Sequence, residues 1–273
     1  MSAITRFAPS PTGFLHVGNL RMALINYLLS KQTNGKFILR IDDTDFERSS
    51  IEYQEAIKED LKWLGLNWSS TFKQSDNLEV YHKYLKQLQD QELIYPCYET
   101  KEELDYKRRI QLAKGAPPIY DRSALKLTEE QKKALEQEGR KPYYRFKITA
   151  EAIEWVDLIK GPVKFNGEHL SDPVLIKENG VFLYSFCSVV DDIERNITHI
   201  IRGEDHLSNT AVHVQLFKYL GFKPPYFGHM SLLSMLDGEE LSKRTGSNSV
   251  RDLKSKGIHP LAILNYLFML GQS

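Results

Sequence analysis

Cysteine is scarce in this chain: Cys97 and Cys187 are the only two, far apart and in no metal-ligand spacing. A disulfide scaffold and a cysteine-built zinc site are therefore excluded from the expectations. Long apolar runs are missing as well. The short ones are broken by Lys, Asp or Glu, and none approaches the roughly 20 residues of a membrane helix. The N-terminus, Met1-Ser-Ala-Ile-Thr-Arg6, lacks an apolar segment and a small-residue cleavage site, so a cytoplasmic protein with no membrane partner is expected. There is no excess charge of one sign, since 36 Lys+Arg balance 36 Asp+Glu. A protein that coats phosphates carries surplus cations, so any contact with nucleic acid must be a local patch. The histidines show no HExxH spacing, and there is no internal repeat or low-complexity tract.

What is present suits a globular chain of one large or two ordinary domains: 273 residues, of which 41% are hydrophobic. The first hundred residues alternate strand and helix signals. Ile4-Thr-Arg-Phe-Ala8 reads as a strand that runs into the tight loop Pro9-Ser-Pro-Thr-Gly13. Leu20, Ala23, Leu24, Tyr27 and Leu28 then recur at helical spacing, with Gly35 as the expected C-terminal cap. Lys36 to Asp42 is a second strand. Ser49 with Glu52, and Asp76 with Glu79, read as the N-termini of two further helices, striped by Ile57, Leu61 and Leu64 and by Leu78, Tyr81, Leu85 and Leu88. Such a βαβ unit predicts an α/β fold with a doubly wound parallel sheet.

From about Tyr95 the texture changes. A Thr100/Glu103 capping box, a Gly115-Ala-Pro-Pro118 break and a helix over 128–139 precede strands at 143–148, 153–159 and 173–176, separated by Gly-Pro and Asn-Gly turns. Strand signals at 181–185 and 197–202 and a helix over 208–220 restore the first rhythm. The expected organisation is a discontinuous Rossmann-type domain, residues 1–95 and 185–235, with an inserted α+β module at 96–184. Residues 236–273, a charged loop and the apolar helix 260–270, begin a helical region.

Two motifs offer chemistry. In Ala8-Pro-Ser-Pro-Thr-Gly-Phe-Leu-His-Val-Gly-Asn19 a stiff loop delivers His16 and Gly18 to the start of a helix. Unpaired N–H groups and a partial positive charge there favour a phosphate. Taken alone, the loop is more simply a turn with His16 as a helix cap. The second motif, Glu239-Glu-Leu-Ser-Lys-Arg-Thr-Gly246, is by itself a solvated charged turn.

Together, in this order and spacing, the two motifs resemble the signatures of class I aminoacyl-tRNA synthetases, and within them the glutamyl-tRNA synthetase family. Arg6-Phe-Ala-Pro-Ser10, Arg40-Ile-Asp-Asp-Thr-Asp45, Val189-Val-Asp-Asp192, Ile201-Arg-Gly-Glu-Asp205 and His229-Met-Ser-Leu-Leu233 extend the resemblance from Ile4 to the end of the chain. The resemblance implies ATP with Mg2+ and L-glutamate as substrates, tRNA (tRNA-Glu) as partner, and a monomer. It implies that His16 and Lys243 are catalytic, and that Gly18, Asn19, Leu232, Leu233, Ser242 and Arg244 join them around ATP. It places glutamate among Arg6, Ala8, Ser10, Asp42, Tyr184, Ser188, Arg202 and Asp205, with Arg6 and Arg202 on its carboxylates and Asp42 at its ammonium. Planar guanidinium groups suit the first task.

The chain departs from the commoner family pattern at Asp42, Ser188, His206 and Glu240. No zinc is expected at Cys97-Tyr-Glu99, where some relatives carry zinc-binding cysteines, and no metal ligands are assigned. Asp43, Asp45, Asp191 and Asp192 are left as helix caps or partners of nearby Arg. Basic and aromatic residues of the module, Lys107, Arg108, Arg109, Arg140, Lys141, Tyr143, Tyr144 and Arg145, are candidates for RNA contact. Three other readings stay open: a short enzyme that glutamylates a modified tRNA base, an enzyme that acts on tRNA-Gln, and a non-catalytic nucleotide- or RNA-binding module.

Overall fold

The computed structural model describes residues 2–233 and 249–270. Its first layer is a parallel sheet. Strand β1 (Ile4–Phe7) pairs with β2 (Lys36–Ile41), and β2 with β3 (Ser70–Lys73), in the order β1-β2-β3. Helix α1 (Val17–Gln32) links the first two strands and α2 (Ile51–Trp63) links β2 to β3. Later in the chain β9 (His199–Gly203) and β10 (Tyr226–Met230) form a second parallel pair, connected by α7 (Leu207–Leu220). The fold is α/β with parallel sheet elements.

The two parallel groups meet at β1 and β9. At the start of the seam the Thr198 N–H donates to the Ile4 carbonyl and the Ile4 N–H donates to Thr198 Oγ1. Farther along, the side chain of Asn26 from α1 takes the place of a neighbouring strand. Its Nδ2 donates to the Ile201 carbonyl at 2.8 Å and its Oδ1 accepts from the Ile201 N–H. The strands therefore part toward their carboxyl ends, the position at which open α/β sheets bind ligands.

Between helices α3 (Leu78–Asp90) and α6 (Tyr184–Glu194) lies a differently built segment. Strands β4 (Ile94–Cys97), β5 (Tyr143–Phe146) and β8 (Val174–Ile176) make an antiparallel sheet, and β6 (Ala152–Asp157) and β7 (Gly161–Asn166) make a hairpin. Helices α4 (Lys101–Ala113) and α5 (Glu129–Gln137) both begin with capping boxes, on Thr100/Glu103 and Thr128/Gln131. Helices α8 (Val250–Ser255) and α9 (Pro260–Met269) return to the face of α1. No helix among the described residues is long and apolar enough to cross a membrane.

The parallel sheet is buried on both faces. Phe37, Leu39 and Ile41 of β2 join Leu20, Leu24, Leu61 and Ile263 on one side, and Ile38 joins Tyr81, Phe186 and Val190 on the other. Strand alternation produces this split.

Several expected elements differ. Residues 181–185 form no strand: only Phe182 bridges to Ile176, and Tyr184 already opens α6. Phe186, Val189, Val190 and Ile193, at helical spacing, bury that helix instead. Strand β3 gave no signal, because its Ser-Thr-Phe-Lys is polar and half-exposed. Gly161-Pro162 opens β7 where only a turn was expected. Ser50, not Ser49, caps α2, and Asp76 lies in a 3-10 turn ahead of α3. Gly35 is not the left-handed cap of α1, since Asn34 takes φ 50°. Gly35 is needed because a Cβ there would stand 1.8 Å from the Ala3 carbonyl oxygen.

Replacing Asn26 with Ala should lower the free energy of unfolding by about 2–3 kcal/mol, because it strands two buried backbone groups of Ile201. Urea denaturation with an unchanged m-value would show it; a loss below about 0.5 kcal/mol would mean that the seam does not rely on this side chain.

Candidate functional site

The site is built outward from two strands and one helix. Alternation on β1 and β2 sends Arg6 and Arg40 to the face covered by α6, whose buried polar residues include Ser188, Asp191 and Asp192. Arg6 Nε and Nη2 donate to the two oxygens of Asp192 at 3.2 and 3.4 Å. Arg40 Nη1 reaches the same carboxylate at 3.1 Å, while its Nε and Nη2 clasp Asp42 at 2.6 and 3.2 Å. Burial alone would lower the Arg40 pKa; the nearby carboxylates Asp42, Asp192 and Asp191 raise it well above the ordinary value. Burial likewise raises the pKa of Asp42, against the pull of Arg40. Asp191 accepts from Gln74, Asn77 and Tyr81, and burial pushes it up to about 6.

Arg202, near the end of β9, is different. It is 5% exposed, and among the described residues no carboxylate lies within ion-pair distance of it, whereas Arg6 has one, Asp192, and Arg40 has three, Asp42, Asp191 and Asp192. Its partners are neutral: Nη1 donates to the Tyr184 hydroxyl at 2.9 Å, Nη2 to Thr210 Oγ1 at 2.5 Å, and Nε to His229 Nε2 at 3.4 Å. Desolvation depresses its pKa. A buried cation without a counter-ion is costly, so the place is suited to an anion supplied from outside.

The opening beside it is a cavity of about 540 Å³ between the carboxyl ends of β1 and β9 and the N-terminus of α1. His16 caps that helix, accepting the Asn19 N–H on Nδ1 at 3.3 Å. Desolvation lowers its pKa, so the neutral ring carries its proton on Nε2 and can donate it. Gly18 allows this ring position, because a Cβ there would stand 3.1 Å from the imidazole. Arg6, Ala8, Ser10, His16, Gly18, Asn19, Asp42, Tyr184, Arg202, Asp205, Leu232 and Leu233 of the expected set all line the cavity. Ser188 does not: it is buried one layer behind, with its Oγ accepting from Arg40 at 3.0 Å. Ser242, Lys243 and Arg244 lie outside the described residues. Leu233 lines the cavity, and Ser249 forms a backbone bridge with His16.

Sequence reasoning passed over Arg40, Met22, Asn26 and His206 as lining residues, although Arg40 stood in a quoted motif. Of the aspartates left as helix caps or partners of nearby Arg, Asp191 and Asp192 both lie within ion-pair distance of Arg40, and Asp192 pairs with Arg6 as well. His206 lies beside the Tyr184 ring, tilted 35° to it at 5.5 Å between centroids, and its pKa is lowered to about 4, first by desolvation and next by Arg202. In the segment with the antiparallel sheet, Tyr143 and Arg145 are buried, with Arg145 donating to the Asp172 carbonyl. Lys107 pairs with Glu99 and Asp121, and Arg140 with Glu103. Arg108, Arg109 and Lys141 are exposed. Cys97 is buried beside the Tyr120 hydroxyl, and among the described residues no group of three His, Cys, Asp or Glu is placed to hold a metal.

Compared with known proteins, the chain matches over residues 2–273 the family described as tRNA synthetases class I (E and Q), catalytic domain. It is similar to glutamate–tRNA ligase 1 of Rickettsia massiliae, at 54% identity over 271 residues, which cover 99% of this chain and 60% of that one. It is also similar to glutamate–tRNA ligase 1 of Maricaulis maris, at 52% identity over 269 residues, 98% of this chain and 60% of that one. Among solved structures, a glutamate tRNA ligase from Elizabethkingia meningosepticum in complex with its amino acid superposes with a TM-score of 0.89. The identity is 33%, over 100% of this chain and 61% of that one. The chain thus spans 60% of the length of these curated relatives.

Two stability measurements probe the buried charges. Asp192→Asn should cost about 3–5 kcal/mol, since it leaves the buried Arg6 without its carboxylate and removes one from Arg40; a loss under about 1 kcal/mol in urea denaturation would contradict the cluster. Burial depresses His206, His213 and His229 below 6.5. Their contribution is fully present above pH 6.5 and is lost as the pH falls, because the unfolded chain then binds protons that the folded one refuses. Asp191, raised to about 6, begins to act oppositely as the pH approaches that value, but one carboxyl at the start of its titration is outweighed by three histidines. The urea midpoint should therefore fall between pH 7.5 and 6.0, and a rise over that interval would be the contrary result.

Proposed function

The chain belongs to the class I tRNA synthetases of the E and Q type, and on that premise we propose that it carries out ATP-dependent ligation of L-glutamate to tRNA through a glutamyl-adenylate. The observation that carries the proposal is Arg202, a buried guanidinium at the cavity whose partners among the described residues are all neutral. Glutamate supplies the missing anion. Its side-chain carboxylate would take the Arg202 fork beside the Tyr184 hydroxyl, a planar pairing that glutamine's neutral amide cannot match. Asp42 would receive the ammonium on the lone pairs that Arg40 leaves open, and Ala8 and Ser10 would line the same pocket.

The α-carboxylate oxygen attacks the α-phosphorus of ATP. A new P–O bond forms, the bond to the β-phosphate oxygen breaks, and pyrophosphate leaves. A terminal ribose hydroxyl of the tRNA then attacks the activated carbonyl and AMP departs. This chain's residues contribute by holding the reactants and stabilising charge. The free N–H groups of α1 and the Nε2–H of His16 would donate to phosphate oxygens, with Gly18 and Asn19 beside them, and Leu232 and Leu233 would flank the adenine. Ser242, Lys243 and Arg244 are proposed to close over the triphosphate. Magnesium would arrive on ATP rather than in a protein cage.

We read β3-β2-β1 and β9-β10 as one doubly wound, Rossmann-type sheet, residues 1–95 and 185–235, interrupted by a module at 96–184 that takes the acceptor end of the tRNA. Residues 236–273 would begin a helical region. Exposed Arg108, Arg109 and Lys141 are the module's candidates for phosphate contact. A monomer in the cytoplasm fits this reading.

Pyrophosphate exchange into ATP, run with glutamate or glutamine and with or without tRNA, tests the proposal. Glutamate-dependent exchange is expected, with kcat/KM falling at least about thirtyfold in Arg202→Ala and exchange lost in Lys243→Ala. Exchange supported equally by glutamine, or unaffected by Arg202→Ala, would refute the assignment of Arg202.

A further inference from the structure

The guanidinium of Arg202 is held from behind by a buried pair that reaches it from another part of the chain. His229, on β10, and Asp157, the last residue of β6 in the hairpin, are both fully buried, and His229 Nδ1 lies 2.5 Å from Asp157 Oδ2. Asp157 is itself anchored: its Oδ1 accepts the backbone N–H groups of Ile159, Lys160 and His229, each at 3.0 Å. On the far side of the ring, Nε2 accepts from Arg202 Nε at 3.4 Å and lies 2.7 Å from Thr210 Oγ1. Trp155 and Phe227 flank the imidazole.

These contacts fix the tautomer. A carboxylate against Nδ1 keeps the proton there, so Nε2 presents a lone pair, which is what an N–H of Arg202 needs. Without that acceptor, Nε of a buried guanidinium would be unpaired, and the fork would be held only through Tyr184 and Thr210. We propose that Asp157 and His229 are positioning residues for glutamate: Asp157 sets the tautomer of His229, and His229 aims the Arg202 fork at the substrate carboxylate. The proposal rests on the reading of Arg202 as the seat of that carboxylate. It also means that the last residue of the β6 strand, in the hairpin of the antiparallel segment, helps set the glutamate site on the parallel sheet through two hydrogen bonds.

Asp157→Asn is the decisive variant. Its Oδ1 can keep the three backbone N–H groups, but its amide then turns an N–H toward Nδ1. The proton of His229 must move to Nε2, where it opposes Arg202 Nε–H, donor against donor. The imidazole tautomer is read by two-dimensional 15N NMR, and the affinities for L-glutamate and for ATP by calorimetry, on the full 273-residue chain. The expected result is a change from the Nδ1–H to the Nε2–H tautomer, glutamate binding weakened about tenfold, and ATP binding within about twofold of the original.

If Asp157→Asn does not fold, His229→Leu and His229→Gln replace it. The Leu variant, without an acceptor, should lose about tenfold in glutamate affinity, and the Gln variant, whose Oε1 can accept from Arg202, should recover most of it. A switched tautomer with unchanged glutamate affinity, or equal losses for Leu and Gln, overturns the positioning role. Arg202→Ala separates the two levels: if it binds glutamate as the original chain does, the assignment of Arg202 fails with the relay; if it loses binding while the Asp157 and His229 variants do not, only the relay fails.

Discussion

Asp192 stands between two arginines that reach it from adjacent parallel strands, and the geometry of the cavity floor follows from that contact. Arg6 and Arg40 both satisfy themselves on this one carboxylate, Arg40 with Asp42 as a second partner. The consequence is that α6, which carries Asp192, is locked against the sheet at the point where the strands part. Tyr184, at the start of the same helix, is thereby set beside Arg202. Three guanidinium groups converge on the cavity, two of them neutralised by Asp192 and Asp42 and the third, Arg202, held among the described residues by neutral partners alone. A site of this kind is costly to build, since an uncompensated buried charge is destabilising. The cost is tolerable because the hydroxyls of Tyr184 and Thr210 and the imidazole of His229 replace the water that Arg202 gives up.

The same logic sorts the aspartates. Asp42 and Asp191 are raised by burial, yet their partners differ: Asp42 faces the cavity and Arg40, and Asp191 is enclosed by Gln74, Asn77 and Tyr81. Only the first has an open side. Identity of residue type therefore says little, and the neighbours decide which carboxylate is structural and which can meet an ammonium group.

Much of this was legible in the sequence, and the limits have physical causes. The βαβ start, the loop before α1 and His16 at its cap follow from local periodicity and turn chemistry, and twelve of the expected residues do share one cavity. Ser188 was expected to contact the substrate but supports Arg40 from behind, because its place on α6 turns it to the buried side. Arg40 was visible in its motif but was passed over, since nothing local says that strand alternation will put it on the face beneath α6. His229 and Asp157 are seventy-two positions apart, and their meeting depends on how the hairpin packs on β10, a long-range contact without a local signature. Strand β3 and the helical start at Tyr184 were missed for a related reason: pairing and burial there override a weak or opposite local preference.

The central claim is that Arg202 is a buried cation reserved for the carboxylate of an incoming substrate. A crystal structure of this chain with L-glutamate bound tests it most directly. The account predicts the side-chain carboxylate paired with the Arg202 guanidinium beside the Tyr184 hydroxyl, with the Arg6–Asp192 and Arg40–Asp42 pairs unchanged. Glutamate seated elsewhere in the cavity, with Arg202 still holding only Tyr184, Thr210 and His229, would contradict it.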